Sequence, residues 1–106
     1  MDAVPIRFRD CARRSFLGFE ILVATTRLSR LLGLSLLERE RAGAGLLMPG
    51  CRAVHTLGMR FRLDLLFFDR EGRVVELCRD VPPGRFLRCQ RAEAVLELPS
   101  PQPAQT

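Results

Sequence analysis

The chain has 106 residues, 47 % of them hydrophobic and 27 % charged, and a formal net charge of +5. That length holds one small domain with a modest core, and the apolar content excludes a disordered chain. No apolar run approaches the roughly 18 residues of a transmembrane helix, and residues 1–14 carry acids, arginines and a proline where a secretory signal would be apolar, so the sequence reads as cytoplasmic, without a membrane segment.

All 17 cations are arginine. The guanidinium fork grips carboxylates and phosphates through paired hydrogen bonds and stacks on rings, so an anionic partner is one reading of this bias; a GC-rich genome is the other. A pI of about 10.2 keeps nucleic acid among the alternatives, although neither an aromatic-interleaved basic strand nor a helix-turn-helix is recognised. Cys11, Cys51, Cys78 and Cys89 form no Cys-x-x-Cys pair and have one histidine to join them, which argues against a zinc site and for four reduced thiols. No metal or cofactor motif is present.

Residues 1–18 show no clean period and read as an N-terminal arm, an edge strand or a partly disordered segment. Residues 19–25 (FEILVAT) have the β-branched and aromatic content of a strand, and Thr25 or Thr26 offers the hydroxyl that caps a helix. Leu28, Leu31 and Leu32 share one face of that short helix, which Gly33 can end in a left-handed cap. Residues 34–41 (LSLLERER) fit either a further helical turn or an irregular connection to the turn at 42–45. Residues 45–48 (GLLM) predict a brief buried strand stopped by Pro49 and Gly50, and 63–68 (LDLLFF) a strand apolar on both faces. Residues 69–72 (DREG) read as a hairpin turn, with 73–80 (RVVELCRD) returning antiparallel. Pro82, Pro83 and Gly84 break that strand, 85–90 is short and indeterminate, 94–98 (AVLEL) is a final strand, and 100–106 reads as a disordered tail. The expectation is a mainly β (α+β) fold: a single domain over 19–99, built as a small antiparallel β-sandwich or barrel, jelly-roll-like, with one short helix.

The order of motifs resembles the domain-of-unknown-function family 192, also called uncharacterised protein family 0127, from about Ile21 to Leu98. The resemblance rests on RLLGL at 30–34, GLL at 45–47, CRAVHTLGMRF at 51–61, Asp64 in its apolar strand, DREGRVV at 69–75 and VLEL at 95–98. Where the family usually places a proline after Gly-Met-Arg-Phe, this chain has Arg62. The resemblance implies a sandwich or jelly-roll-like fold with one small helix, and no activity.

Function must then come from the residues. Residues 51–69 (CRAVHTLGMRFRLDLLFFD) join the single histidine to a Gly-Met-Arg-Phe turn and an apolar strand, so polar and cationic groups stand at the mouth of a rigid element. Residues 51–63 and 81–92 are free of acids: one holds Arg52, His55, Arg60 and Arg62, the other Arg85, Arg88 and Arg91. If the fold brings the two together they form an anion cradle beside His55; if it does not, each is a solvated loop. His55 reads as a binding residue or as a ring held by a backbone carbonyl. Thr56, Met59 and Arg85 complete the candidate set, Met59 also reading as a core plug under the loop. Asp64 and Glu97 stand in apolar strands, where a carboxylate must be paired or hydrogen-bonded; Asp64 is expected to cap the 59–62 turn or to pair with an arginine, and Glu97 likewise. The sequence thus favours a module binding a small anionic or sugar-like ligand through the 51–62 loop, with no catalytic residue assigned. The alternatives are a nucleic-acid-binding basic domain, and a hydrolase using His55 with Asp64 or Glu97.

Overall fold

Alternation of inward apolar and outward polar residues organises the chain into strands, and the computed structural model describes residues 4–16 (Phe16 by its backbone), 18–26, 29 and 32–101. Eight strands form among them: β1 (Ala12–Phe16), β2 (Phe19–Val23), β3 (Leu46–Pro49), β4 (Ala53–His55), β5 (Leu63–Phe68), β6 (Val74–Val81), β7 (Phe86–Arg88) and β8 (Ala94–Pro99), with 3-10 turns at Ile6–Phe8 and Arg39–Arg41. Six strands make one sheet in the order β1-β2-β3-β8-β5-β6, while β4 and β7 make a separate two-stranded ribbon. Val54 of the ribbon is buried with Leu63, Leu65, Phe67, Met48 and Val95 of the large sheet, and Leu87 packs against the same core, so the two sheets face each other across it. The sandwich-like, mainly β expectation holds.

Two details differ from it. The sheet is mixed rather than wholly antiparallel, because β2 pairs parallel with β3; a parallel neighbour needs a long crossover, which residues 24–45 supply. The 51–62 segment is also not one loop. Its residues Ala53–His55 pair with Phe86–Arg88, and this joins the two acid-free stretches directly.

The expected helix falls mostly on positions outside the described residues, Leu28 and Leu31 among them. Its capping is visible: Thr26 Oγ1 accepts the Ser29 N–H at 3.1 Å, Ser29 Oγ accepts the Thr26 N–H at 3.1 Å, and the Gly33 N–H donates to the Ser29 carbonyl at 2.8 Å. Gly33 closes the segment at φ +52°, as a left-handed cap requires. At the amino end, residues 12–16 of the expected arm form the edge strand β1; residues 1–3, 17 and 102–106 lie outside the described residues.

The hairpin turn at 69–72 is present, held by Asp69 Oδ1 accepting the backbone N–H groups of Glu71 and Arg73. Asp64 is hydrogen-bonded, though neither to the 59–62 turn nor to an arginine: its Oδ1 accepts the Asp80 N–H at 2.8 Å and the Ser100 hydroxyl at 2.7 Å. It thereby pins the irregular end of β6, where Asp80 takes φ +55°, to the residue following β8. Asp64→Ala should cost roughly 1–3 kcal/mol by stranding both donors, and an unchanged melting curve would contradict this role.

Candidate functional site

Register along the sheet decides which acids can act together. β5 and β8 run antiparallel with Leu65 opposite Glu97 and Asp64 opposite Leu98. Opposed residues share a face and successive residues alternate, so Glu97 points with Leu65 into the core while Asp64 points to the other side. The two carboxylates are therefore not a couple. Asp64 and Arg62 line a separate polar groove with Arg39, Arg79 and Ser100.

Glu97 is 3 % exposed and stands on β8 in the middle of the sheet, flanked by Leu46 on β3 and Leu65 on β5. Its carboxyl accepts a hydrogen bond from the Leu34 backbone, yet Oε1 has no partner among the described residues. Burial pushes its pKa up from 4.5 to about 7, with the Leu34 bond pulling the other way. Glu97 thus caps a backbone group, at Leu34, and pairs with no arginine among the described residues; one buried oxygen is left unsatisfied, a state that costs free energy unless something else fills it.

Glu97 lines a cleft of about 170 Å³ whose walls also include Gly33, Leu34, Met48, Ala53, His55 and Met59. Gly33 makes the approach possible, since a Cβ there would stand 3.0 Å from Oε1. The turn carrying Gly33 and Leu34 is fixed from outside by Arg7, whose Nη1 donates to the Gly33 carbonyl at 3.0 Å and the Ser35 carbonyl at 2.7 Å. From below, Leu36, itself at φ +64°, donates its N–H to the Gly58 carbonyl at 2.8 Å. A strained residue and a half-buried arginine thus hold one wall in place.

The opposite wall is the β4 edge that does not pair with β7. All three β4 residues line the cleft and no β7 residue does. The Cys89 N–H donates to the Arg52 carbonyl at 2.8 Å and the Thr56 N–H to the Arg85 carbonyl at 2.7 Å. In an antiparallel ladder the bonded residues alternate, so Arg52, Val54 and Thr56 face β7 while the N–H and C=O groups of Ala53 and His55 face the cleft.

Of the residues marked out in the sequence, this cleft brings together His55, Met59 and Glu97. The His55 ring is exposed at the mouth and has no hydrogen-bond partner among the described residues, so it is not held by a carbonyl. Met59 is buried. Thr56 is fully buried outside the cleft, its hydroxyl spanning Pro82 and Arg85. Three arginines are engaged with acids: Arg52 with Glu93 at 3.6 Å, Arg60 with Glu38, and Arg62 with Asp80 at 3.5 Å. Arg85 lies outside the cleft. Sequence reading missed Gly33, whose left-handed cap was recognised without its contact to Glu97, and the free edge of β4. Among the described residues, no group of three or more His, Cys, Asp or Glu could hold a metal ion, none of the four cysteines is in a disulfide, and no helix is long and apolar enough to cross a membrane.

Fold and site together define a small mixed-β domain in which an acid-floored cleft lies under the free edge of a two-stranded ribbon. Its family is shown by comparison. The chain belongs to the domain-of-unknown-function family 192, described as an uncharacterized ACR, whose profile matches residues 10–106. Among solved structures it is similar to a candidate transcription regulator from Sinorhizobium meliloti 1021, with a TM-score of 0.67 and 19 % identity over 77 % of this chain and 69 % of that one. It is also similar to a protein of unknown function from Novosphingobium aromaticivorans DSM 12444, with a TM-score of 0.61 and 16 % identity over 93 % of this chain and 89 % of that one. Identities this low speak for the fold alone. No curated protein matches the chain.

Proposed function

We propose that this domain binds a small ligand through the cleft at Glu97, and that the ligand places a hydrogen-bond donor on Glu97 Oε1. The observation that carries this reading is the buried, unsatisfied oxygen of a residue that lines the cleft. A buried acceptor without a partner costs roughly 1–3 kcal/mol, which a ligand hydroxyl or amine would recover on binding. Of the ligands expected from sequence, the sugar-like one fits and the anionic one does not, because a carboxyl on the floor repels an anion and Arg52, Arg60 and Arg62 are committed to acids. His55 at the mouth and Met48 and Met59 within supply a further polar contact and an apolar lining.

A thermal-shift screen of neutral polyols and sugars beside phosphorylated metabolites tests the reading. Neutral donors should raise the melting temperature of the wild type and leave Glu97→Leu unmoved. Stabilisation by phosphorylated compounds alone, or a shift that survives Glu97→Leu, would overturn it.

A second reading rests on Phe86, which is 72 % exposed on β7, directly opposite His55 and two residues from Arg88. An aromatic ring between Arg85 and Arg88 is a stacking platform for single-stranded nucleic acid. Such binding would weaken steeply with salt, whereas the binding of a neutral ligand in the cleft would not.

A further inference from the structure

The cleft presents two kinds of recognition group at once. One is the Oε1 acceptor of Glu97, buried and without a partner among the described residues. The other is a short strand edge: the outward N–H and C=O groups of Ala53 and His55, which β7 leaves unpaired by the alternation of its ladder. A sugar hydroxyl would satisfy the first and leave the second in water. A backbone satisfies both, because an extended chain laid along β4 offers a donor and an acceptor at the spacing of the strand it joins.

Resting on the reading of the Glu97 cleft as a ligand site, we infer that its ligand is the amino-terminal end of a peptide: the terminal ammonium meets Glu97 Oε1 and the first peptide groups pair with the free edge of β4 at Ala53 and His55. Charge supports the polarity, since a carboxyl floor favours an ammonium and disfavours a chain's carboxylate end. Size supports a terminus over a through-passing strand. The cleft holds about 170 Å³, room for about one residue; Gly33 and Leu34 line it beside the Glu97 carboxyl, and the apolar lining by Met48, Val54 and Met59 suits a small aliphatic first side chain. The chemistry is binding alone, and no bond is made or broken.

Proton linkage follows. Free Glu97 titrates near neutrality because it is buried, and an ammonium beside it stabilises the carboxylate, so binding below neutral pH should release a proton. The other ionisable groups about the site are His55 and Cys51 on its walls and Arg7, which holds the Gly33 carbonyl from outside.

The test uses trialanine with a free amino terminus, its N-acetylated form, and a form methylated on the first peptide nitrogen, each titrated into the full chain and followed by amide NMR. Free trialanine should shift the Ala53 and His55 amides, and acetylation or Glu97→Gln should weaken binding at least about tenfold, with N-methylation also weakening it. Glu97→Gln keeps shape and removes the charge, and its melting curve reports whether it is folded. Equal binding of the free and acetylated peptides, or no shift of these amides at about 10 mM peptide, would overturn the inference. If a neutral polyol binds in a Glu97-dependent way where trialanine does not, the peptide assignment fails while the cleft remains the ligand site. If neither peptide nor polyol binding depends on Glu97, both readings fall.

Discussion

Between pH 4.5 and about 7 the folded protein is expected to lose about 3 kcal/mol of stability that Glu97→Gln does not lose. The cause is the burial of Glu97, which raises its pKa from 4.5 to about 7. Below pH 4.5 the carboxyl is protonated in both folded and unfolded chains, and the folded state carries no penalty. As pH rises through the window the unfolded chain gives up its proton while the folded one keeps it, so the folded state binds more protons and stability falls. Above about 7 both are ionised and the loss is complete, at roughly 1.4 kcal/mol for each unit separating the two pKa values. Glutamine keeps the Leu34 contact and the shape without a titrating proton. Chemical denaturation of both proteins across this range isolates the effect, because His55 is common to them. Parallel pH profiles for wild type and variant would show that Glu97 does not titrate in a buried site.

A carboxyl kept near its neutral point in the wall of a cleft is the feature on which the proposed ligand site rests. Part of it was legible without coordinates. A glutamate inside AVLEL is conspicuous, as is an aspartate inside LDLLFF, because apolar strands seldom hold a lone acid. What composition cannot supply is the register that sends the two to opposite faces: Asp64 to the Asp80 backbone and the Ser100 hydroxyl, Glu97 to the turn at Gly33. The long strands were readable because their apolar runs stand between charged or turn-forming residues, as 63–68 does between Arg62 and the 69–72 turn. β4 was not, since three residues flanked by arginine and threonine carry too little periodicity, and its partner β7 lies thirty residues on. The arginine-rich stretches suggested an anion cradle. They do meet in space, but local acids neutralise Arg52, Arg60 and Arg62, and it is their backbones, joined as a ribbon, that build the wall of the cleft.

Thr56→Val should destabilise the protein by roughly 2–4 kcal/mol, although the two side chains are nearly the same size. Thr56 is fully buried, and its hydroxyl donates to the Pro82 carbonyl at 2.8 Å while accepting the Arg85 N–H at 2.8 Å. Its backbone doubles the tie, with its N–H to the Arg85 carbonyl at 2.7 Å and its carbonyl accepting the Gly84 N–H at 3.0 Å. Valine leaves the part-buried Pro82 carbonyl and Arg85 N–H without this partner, so the penalty is that of two stranded partners rather than of one lost bond. For a domain of this size the melting temperature should drop by roughly 10–20 °C. Thr56→Ser keeps the hydroxyl and should recover most of the loss, less the cost of a missing methyl. Hydrogen exchange at the Arg85 amide should quicken in the valine variant, because the β4–β7 ribbon is closed at that end by this residue. A melting temperature unmoved by Thr56→Val, with ligand response lost, would instead make Thr56 a contact residue and would require the ribbon to be held by its backbone alone.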